Sequence, residues 1–446
     1  MQIHMERFRL EKPNITEEDK KIADDRDDIE MYRFAKKADA PEYRYWDKFK
    51  FIRPIPNNLS PLQAWYLIKR RRRYGTHLVD VRDESGEWFR LNQTEHIQKL
   101  CHEFDMTIGG SLLAEIRDLN DADKRVMIAN GIIEEAIASS QLEGADTGRD
   151  FAERILREGL APKSRSEQMI VNNHVVLQEV EESLSKLPMS MAMLDEMHAK
   201  LTVKTLDDWD NVPHRRTETD EPLVVKDDQY VYHQAPSVGF VEKHLPLLVM
   251  YMNDEYGDYL HPVVKAIVIH FWIGYLHPYT DGNGRLARAA AHWYMLRHNY
   301  WGYSYLPIST MLKEGGKKAY TRAYVYAEQD DCDLTYFVNY VMNKMEDAMN
   351  RLKSTMAVRR VEAGMTVKIF LERYDLSERL ALVMKYLTVS PGNYVTFSSH
   401  MIGNGIARAT AAKDFKRLLQ LGLVTIKKSG RTVRYFASET ARATVR

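Results

Sequence analysis

The chain has 446 residues, and its 63 Lys and Arg are balanced by 63 Asp and Glu, so no global field of either sign argues for a nucleic-acid partner. Its two cysteines, Cys101 and Cys332, lie far apart and suggest neither a disulfide framework nor a metal cluster. No uncharged apolar run reaches membrane-spanning length, since Ala266 to Leu276 is about half of what is needed. The opening Met1-Gln-Ile-His-Met-Glu6 runs into charged sequence without a signal peptide's apolar core, so a cytoplasmic setting without a membrane is expected.

At this length two or three domains are expected. Residues 1–105 read as an accessory segment. Thr16 to Asp39 is charged and predicted helical in part, and Phe51-Ile-Arg-Pro-Ile-Pro56 is extended. Trp65 to Arg73 reads as a helix ending in Lys69-Arg-Arg-Arg-Arg73. That basic run is either a nucleic-acid contact or a solvated helix end, and the second reading is preferred. Leu78 to Val81 and Trp88 to Leu91 flank Asp83-Glu-Ser-Gly86 as a hairpin.

Residues 106–350 read as an all-helical core with one interruption. Ala122 to Leu142 places Val126, Ile133 and Ile137 at helical spacing. It closes on Ser139-Ser-Gln-Leu-Glu143-Gly144, which puts a carboxylate at a helix C-terminus, where the macrodipole disfavours it. The interruption, Asn211 to Phe240, holds two extended runs, Leu223-Val224-Val225 and Tyr230-Val231-Tyr232, on either side of Lys226-Asp-Asp-Gln229. They are predicted to form a hairpin.

The most informative stretch is His277-Pro-Tyr-Thr-Asp281-Gly282-Asn283-Gly284-Arg285-Leu-Ala-Arg288. A helical run from Val263 to Leu276 leads in and another from Leu286 to Leu296 leads out, so the loop ends at a helix start, where an anion is favoured. Gly282 and Gly284 allow close backbone approach, and Arg285 and Arg288 share one helical face. Asp281 offers a hard oxygen for Mg²⁺, and His277 can accept a proton near neutral pH. Each element alone is ordinary turn chemistry. Their fixed order between two helices reads as a nucleotide phosphate site with a base beside it.

This stretch resembles the signature of Fic-domain proteins, H-x-F-x-[DE]-G-N-G-R-x-x-R, with Tyr279 where Phe is commonest. Most members transfer AMP to protein hydroxyls. The resemblance implies His277 as general base, Asp281 as the Mg²⁺ ligand, Gly282, Asn283 and Gly284 as an anion hole, and Arg285 and Arg288 on the outer phosphates of ATP. A kinase-like branch has Ala for the first Gly and lacks the last Arg. Gly282 and Arg288 therefore disfavour phosphate transfer. Ser139, Glu143 and Gly144 resemble the family's inhibitory motif, [ST]-x-x-x-E-[GN], in the group whose inhibitory helix (here about 122–144) precedes the core. Paired with Arg288, Glu143 would occupy the guanidinium meant for the γ-phosphate. The resemblance further makes the Leu223–Val225 and Tyr230–Tyr232 hairpin a flap that holds a target by strand addition. It also puts Tyr320 near the nucleotide base, and homodimers are frequent among relatives.

Downstream, Asp333-Leu-Thr is an N-cap pattern opening a helix, and 351–375 is a linker helix. In residues 376–446, helices at Leu380 to Leu387, from Thr396-Phe-Ser-Ser399 and at Ala407 to Leu421 precede strands Leu423 to Ile426 and Thr432 to Phe436. This resembles a winged helix-turn-helix. Between Ala407 and Phe436, Arg408, Lys413, Lys416, Arg417, Lys427, Lys428, Arg431 and Arg434 stand against the single Asp414, a local basic patch open to DNA or to protein docking. The expectation is a mainly α protein, a Fic-type helical bundle with a β-hairpin flap plus an α+β winged helix. It would transfer AMP from Mg·ATP to a Ser, Thr or Tyr hydroxyl of a target protein or itself, under restraint by Glu143. The alternatives are hydrolytic AMP removal using Glu143, or a DNA-binding regulator.

Overall fold

The computed structural model describes residues 6–109, 121–205, 214–220, 222–389, 392–429 and 432–445. Arg431, the Val126 side chain and residues 211–213 of the expected interruption lie outside the described residues. The chain is mainly helical and divides into two compact units, 1–349 and 350–446. No helix among the described residues is long and apolar enough to cross a membrane.

The residues before 106 belong to the first unit rather than to a separate module. A two-residue strand β1 (Glu6–Arg7) precedes helices α1 (Glu17–Asp24), α2 (Ile29–Ala38), α3 (Trp46–Phe49) and α4 (Pro61–Tyr74). Reciprocal capping boxes at Thr16 and Ser60 fix where α1 and α4 start. Trp46, Phe49, Trp65, Leu67 and Ile68 form a core with Val325 and Tyr336 from much later in the chain, which is why the segment is not independent. The Lys69–Arg73 run is not a solvated helix end. Lys69 pairs with Asp330 at 2.8 Å, Arg70 with Asp24 and Asp27, Arg71 with Asp27, and Arg72 is buried against Asp39 at 2.6 Å. Acids distant in sequence neutralise it, and helical spacing gives no sign of them. The expected hairpin forms from β2 (Thr76–Arg82) and β3 (Trp88–Asn92), followed by α5 (Glu95–Phe104).

Helices α6 (Asp121–Leu142), α7 (Arg149–Glu158), α8 (Arg165–Glu182), α9 (Met191–Thr202), α10 (Val238–Met252), α11 (Pro262–Leu276), α12 (Asn283–Arg297), α13 (Ile308–Glu314) and α14 (Lys317–Gln329) build the bundle around the loop. Helix α11 buries all but two of its fifteen residues, as a helix apolar on every side must. Between α9 and α10, β4 (Val224–Lys226) and β5 (Tyr230–Gln234) pair antiparallel, and β1 adds to the other edge of β5 in parallel, Glu6 opposite Tyr230. Helix α15 (Thr335–Tyr374) starts at the expected cap, where the Asp333 carboxylate accepts from the Thr335 amide at 3.1 Å.

In the second unit, α16 (Glu378–Val389), β6 (Tyr394–Thr396), α17 (Phe397–Asn404), α18 (Arg408–Gln420), β7 (Val424–Ser429), β8 (Thr432–Ala437) and α19 (Glu439–Thr444) follow in order. The strands form an antiparallel sheet in the order β6-β8-β7. Leu380, Met384, Leu387, Phe415, Leu418 and Tyr435 fill the core between helices and sheet.

Candidate active site

His277 ends helix α11 in the left-handed conformation, φ 45° and ψ 58°, a backbone that side chains other than Gly, Asn and Asp rarely adopt. The strain is held by its surroundings. Its Nδ1 faces the Gly274 carbonyl at 2.5 Å. A carbonyl can only accept, so Nδ1 carries the proton and Nε2 keeps its lone pair. Burial, with His233 next, pushes the imidazole down to about 4. At neutral pH it is therefore an uncharged acceptor, the state a general base needs.

The loop between α11 and α12 is held by Asn283, whose side chain accepts from the Tyr279 amide at 3.0 Å and donates to the Tyr279 carbonyl at 2.7 Å. Tyr279 is buried, stacks on His198 with centroids 3.6 Å apart, and donates its hydroxyl to Asp195 at 2.6 Å. Tyr in place of the commoner Phe thus has a partner for its polar end. At Gly282 the chain takes φ 81°, and a Cβ would meet Thr202 at 2.5 Å. No side chain caps α12, so its first-turn amides remain available to an anion.

Arg285 is 1% exposed and donates to the Leu201 carbonyl at 2.7 Å and to Asp281 at 3.3 Å. Arg288 is also buried, and its Nε and Nη2 donate to the Ser139 hydroxyl and carbonyl, both at 2.8 Å. Its Nη2 also meets Glu143 Oε1 at 3.0 Å. Each guanidinium keeps one buried nitrogen without a hydrogen bond to protein, Nε of Arg285 and Nη1 of Arg288. Such donors are costly unless a ligand engages them.

Glu143 and Gly144 form the turn after α6. A Cβ on Gly284 would lie 2.2 Å from Glu143 Oε1, so the carboxylate rests against the first turn of α12. The anomaly of an acid at one helix's C-terminus is resolved by its place at another helix's N-terminus. Burial raises the Glu143 carboxyl, but Arg288 and then Arg285 outweigh it and hold the group below its ordinary value.

Asp281 is 37% exposed, and among the described residues its carboxylate bonds to Arg285 alone. Among the described residues no three His, Cys, Asp or Glu converge as a metal cluster. A divalent cation here would therefore rest on one carboxylate plus substrate phosphates, the usual way Mg²⁺ is held. Tyr320 shares a hydrogen bond with His270 Nε2 at 2.6 Å and lies within the field of Arg288, so it backs the guanidinium. In the β4–β5 hairpin, Leu223 accepts from the Ala235 amide at 2.9 Å and Val224 and Val225 pair with Gln234 and His233. Of the two edges of this hairpin, the Tyr230–Tyr232 edge is covered. β1 pairs there, the Phe8 amide donates to Val231 at 2.8 Å, and the Phe8 ring packs on Tyr230 and Tyr232. Among the described residues the outer edge is that of β4.

Four residues enter that sequence reasoning missed, Arg216, Asp195, Arg215 and His198. Arg216 is buried, and its guanidinium donates to the His277 carbonyl at 2.7 Å, Pro236 at 2.8 Å and Leu276 at 3.1 Å. Among the described residues no carboxylate pairs with it, and the carbonyl end of α11 compensates its charge, fixing the strained turn at His277. Asp195 ties Tyr279 to Arg215, and His198 Nε2 donates to the Asp281 carbonyl at 2.8 Å. Arg215-Arg216 follows a stretch without periodicity, and only contact with residues 60 positions on reveals its role.

Residues 188–295 match the family model described as the Fic/DOC family, so this part of the chain is a Fic domain. Protein adenylyltransferase fic-1 of Caenorhabditis elegans is 31% identical over 123 residues, 27% of this chain and 22% of that protein. Protein adenylyltransferase Fic of Drosophila willistoni is 32% identical over 68 residues, 15% of this chain and 14% of that protein. The chain thus matches under a quarter of the length of these relatives. A Fic family protein from Desulfovibrio desulfuricans G20 superposes with a TM-score of 0.50 at 20% identity, covering 78% of this chain and 97% of that one. This likeness establishes the fold alone.

Proposed function

We propose that this protein transfers AMP from Mg·ATP to a Ser, Thr or Tyr hydroxyl of a target protein, itself included, and that Glu143 restrains the transfer. One observation carries the reading. Arg285 and Arg288 are buried beside an uncapped helix start, each with a donor left over, and the anions that touch them, Asp281 and Glu143 respectively, are carboxylates of the chain itself. A polyphosphate offers more acceptor oxygens than a carboxylate and would satisfy both guanidinium groups.

In the transfer, the target hydroxyl oxygen bonds to the α-phosphorus while the bond to the bridging oxygen of pyrophosphate breaks. The hydroxyl proton passes to Nε2 of His277, whose ring Gly274 orients and whose backbone Arg216 fixes. Asp281 would hold Mg²⁺, which when bound offsets phosphate charge. First-turn amides at Gly282 to Gly284 and the two arginines position the nucleotide. The outer edge of β4 is the strand to which an extended target segment would add.

The test is labelled ATP with a cell lysate, comparing intact protein with His277→Ala and Glu143→Gly. His277→Ala is expected to lower transfer by about 10²–10⁴-fold with ATP affinity nearly unchanged, and Glu143→Gly to raise transfer above wild type. Near-normal transfer by His277→Ala sinks the assigned mechanism. Loss of AMP removal in Glu143→Gly, without a gain in transfer, favours the hydrolytic reading, in which Glu143 orients a water.

A further inference from the structure

The chain is neutral overall, with 63 cations and 63 acids, yet residues 350–446 hold 18 Lys and Arg against 6 Asp and Glu. The charge is segregated by unit. We propose that helix-turn-helix α17–α18 and hairpin β7–β8 form a surface that binds duplex DNA through its phosphates, with the outer face of α18 against the major groove.

Helix α18 buries Ala411, Asp414, Phe415 and Leu418. Ala409, Lys413, Lys416 and Gln420 stand on the opposite, exposed face, with Arg417 exposed beside them. Lys413, Lys416 and Arg417 fall at i, i+3 and i+4, a spacing at which like charges repel. The one carboxylate between Ala407 and Phe436 does not relieve them. Asp414 points inward, held by Arg379 at 3.0 and 3.1 Å and by His400 at 2.9 Å. Among the described residues no acid pairs with Lys413, Lys416, Arg417, Lys427 or Lys428.

The hairpin repeats the pattern. Lys427 sits directly opposite Arg434, a cross-strand placement of like charges that destabilises a sheet. Val395 and Tyr435 face the core, whereas Arg434 lies over the Tyr394 ring at 4.5 Å and Lys427 over the Phe436 ring at 5.2 Å. Aromatic rings thus hold these cations on the sheet face away from the core. Contrast the Lys69–Arg73 run, where Asp24, Asp27, Asp39 and Asp330 take up the charge. A partner with regularly spaced negative charges relieves the repulsion left in the second unit. The α-helix as probe, of a width the major groove admits, selects a duplex.

The full-length protein should bind a fluorescent mixed-sequence DNA duplex with affinity falling several hundred-fold between about 50 and 200 mM salt, as about five phosphate contacts require. Lys413→Ala/Lys416→Ala/Arg417→Ala should lose at least about 30-fold in affinity and lower the log–log salt slope by about 2.7, at about 0.9 per contact. These side chains are exposed, so thermal melting should be unchanged. A charge-matched control, Lys37→Ala/Lys186→Ala/Lys243→Ala, removes three exposed cations from the first unit and should keep duplex affinity. Absence of duplex binding overturns the proposal, as does equal loss in both triple variants. So does equally tight binding of the single strand or of vesicles containing phosphatidylserine.

Discussion

Arg72 and the pair Arg285 and Arg288 are buried arginines of the first unit that differ in how completely the guanidinium is used. Arg72, 2% exposed, donates from Nε and Nη2 to Asp39 at 3.1 and 2.6 Å, from Nη2 to the Arg44 carbonyl at 2.8 Å, and from Nη1 to the Tyr336 hydroxyl at 2.8 Å. The Tyr43 ring covers it at 3.7 Å. Each of its three nitrogens is engaged by protein. At the signature loop, Arg285 and Arg288 each keep a nitrogen that bonds to no protein atom, and the carboxylate on Arg288 comes from Glu143, itself 33% exposed. A structural cation is saturated by groups that stay put. Under the proposed reading, a cation kept for a ligand is under-used, and Arg288 is held by a carboxylate that is itself partly exposed.

Replacing each arginine should separate these roles. Arg72→Ala leaves Asp39 without its buried partner and should cost about 3–5 kcal/mol of stability, read as a large drop in denaturation midpoint. Transfer per folded molecule should stay unchanged. A small midpoint shift would mean that Arg72 is less committed to the fold than its bonds imply.

Arg288→Ala should do the reverse. Its stability cost is expected to be only about 1–2 kcal/mol, because Glu143 can hydrate, while transfer is lost along with its phosphate contact. Glu143→Gly should increase transfer about tenfold or more, since a hydrogen bond to a charged group is worth about 1.5–3 kcal/mol. Adding Arg288→Ala should abolish that gain, the non-additivity expected of groups in contact. Simple additivity in this cycle would show that Glu143 acts elsewhere.

The pH dependence sharpens the comparison least but bears on the base. Burial lowers His277 and His292 to about 4 and His270 to about 3, from an ordinary value of 6.5. Between those values the unfolded chain binds more protons than the folded one, so the stability these residues confer is present above about pH 6.5 and lost as pH falls towards about 4. The kcat/KM profile for transfer should stay flat on its acidic side from about pH 7 to about pH 5 and then decline towards about pH 4. An acidic limb centred near the ordinary 6.5 would place His277 in a more hydrated setting.

Much of the site was legible because its chemistry is local. His277 to Arg288 is one turn between two helices, and its order of proton acceptor, carboxylate, small residues and paired arginines is written within twelve positions. Hairpins β2–β3 and β4–β5 and the cap at Asp333 follow from neighbours a few residues apart. That one edge of the hairpin is covered was not legible, because the strand on β5, Glu6–Arg7, lies more than two hundred residues earlier and has no strand pattern of its own. The basic run at 69–73 was misread for the same reason.

The sequence by itself determined the helices on either side of the signature loop, the composition of that loop, and the excess of cations near the C-terminus, since each depends on spacings of about four residues or fewer or on simple counting. Only the tertiary structure decided what each charge meets. It set Glu143 against Arg288 and the first turn of α12, clamped the His277 turn with Arg216, turned Asp414 inward, and saturated Arg72 while leaving Arg285 and Arg288 with donors to spare. Those outcomes depend on which distant groups burial brings within hydrogen-bond reach, and periodicity along the chain carries no information about that.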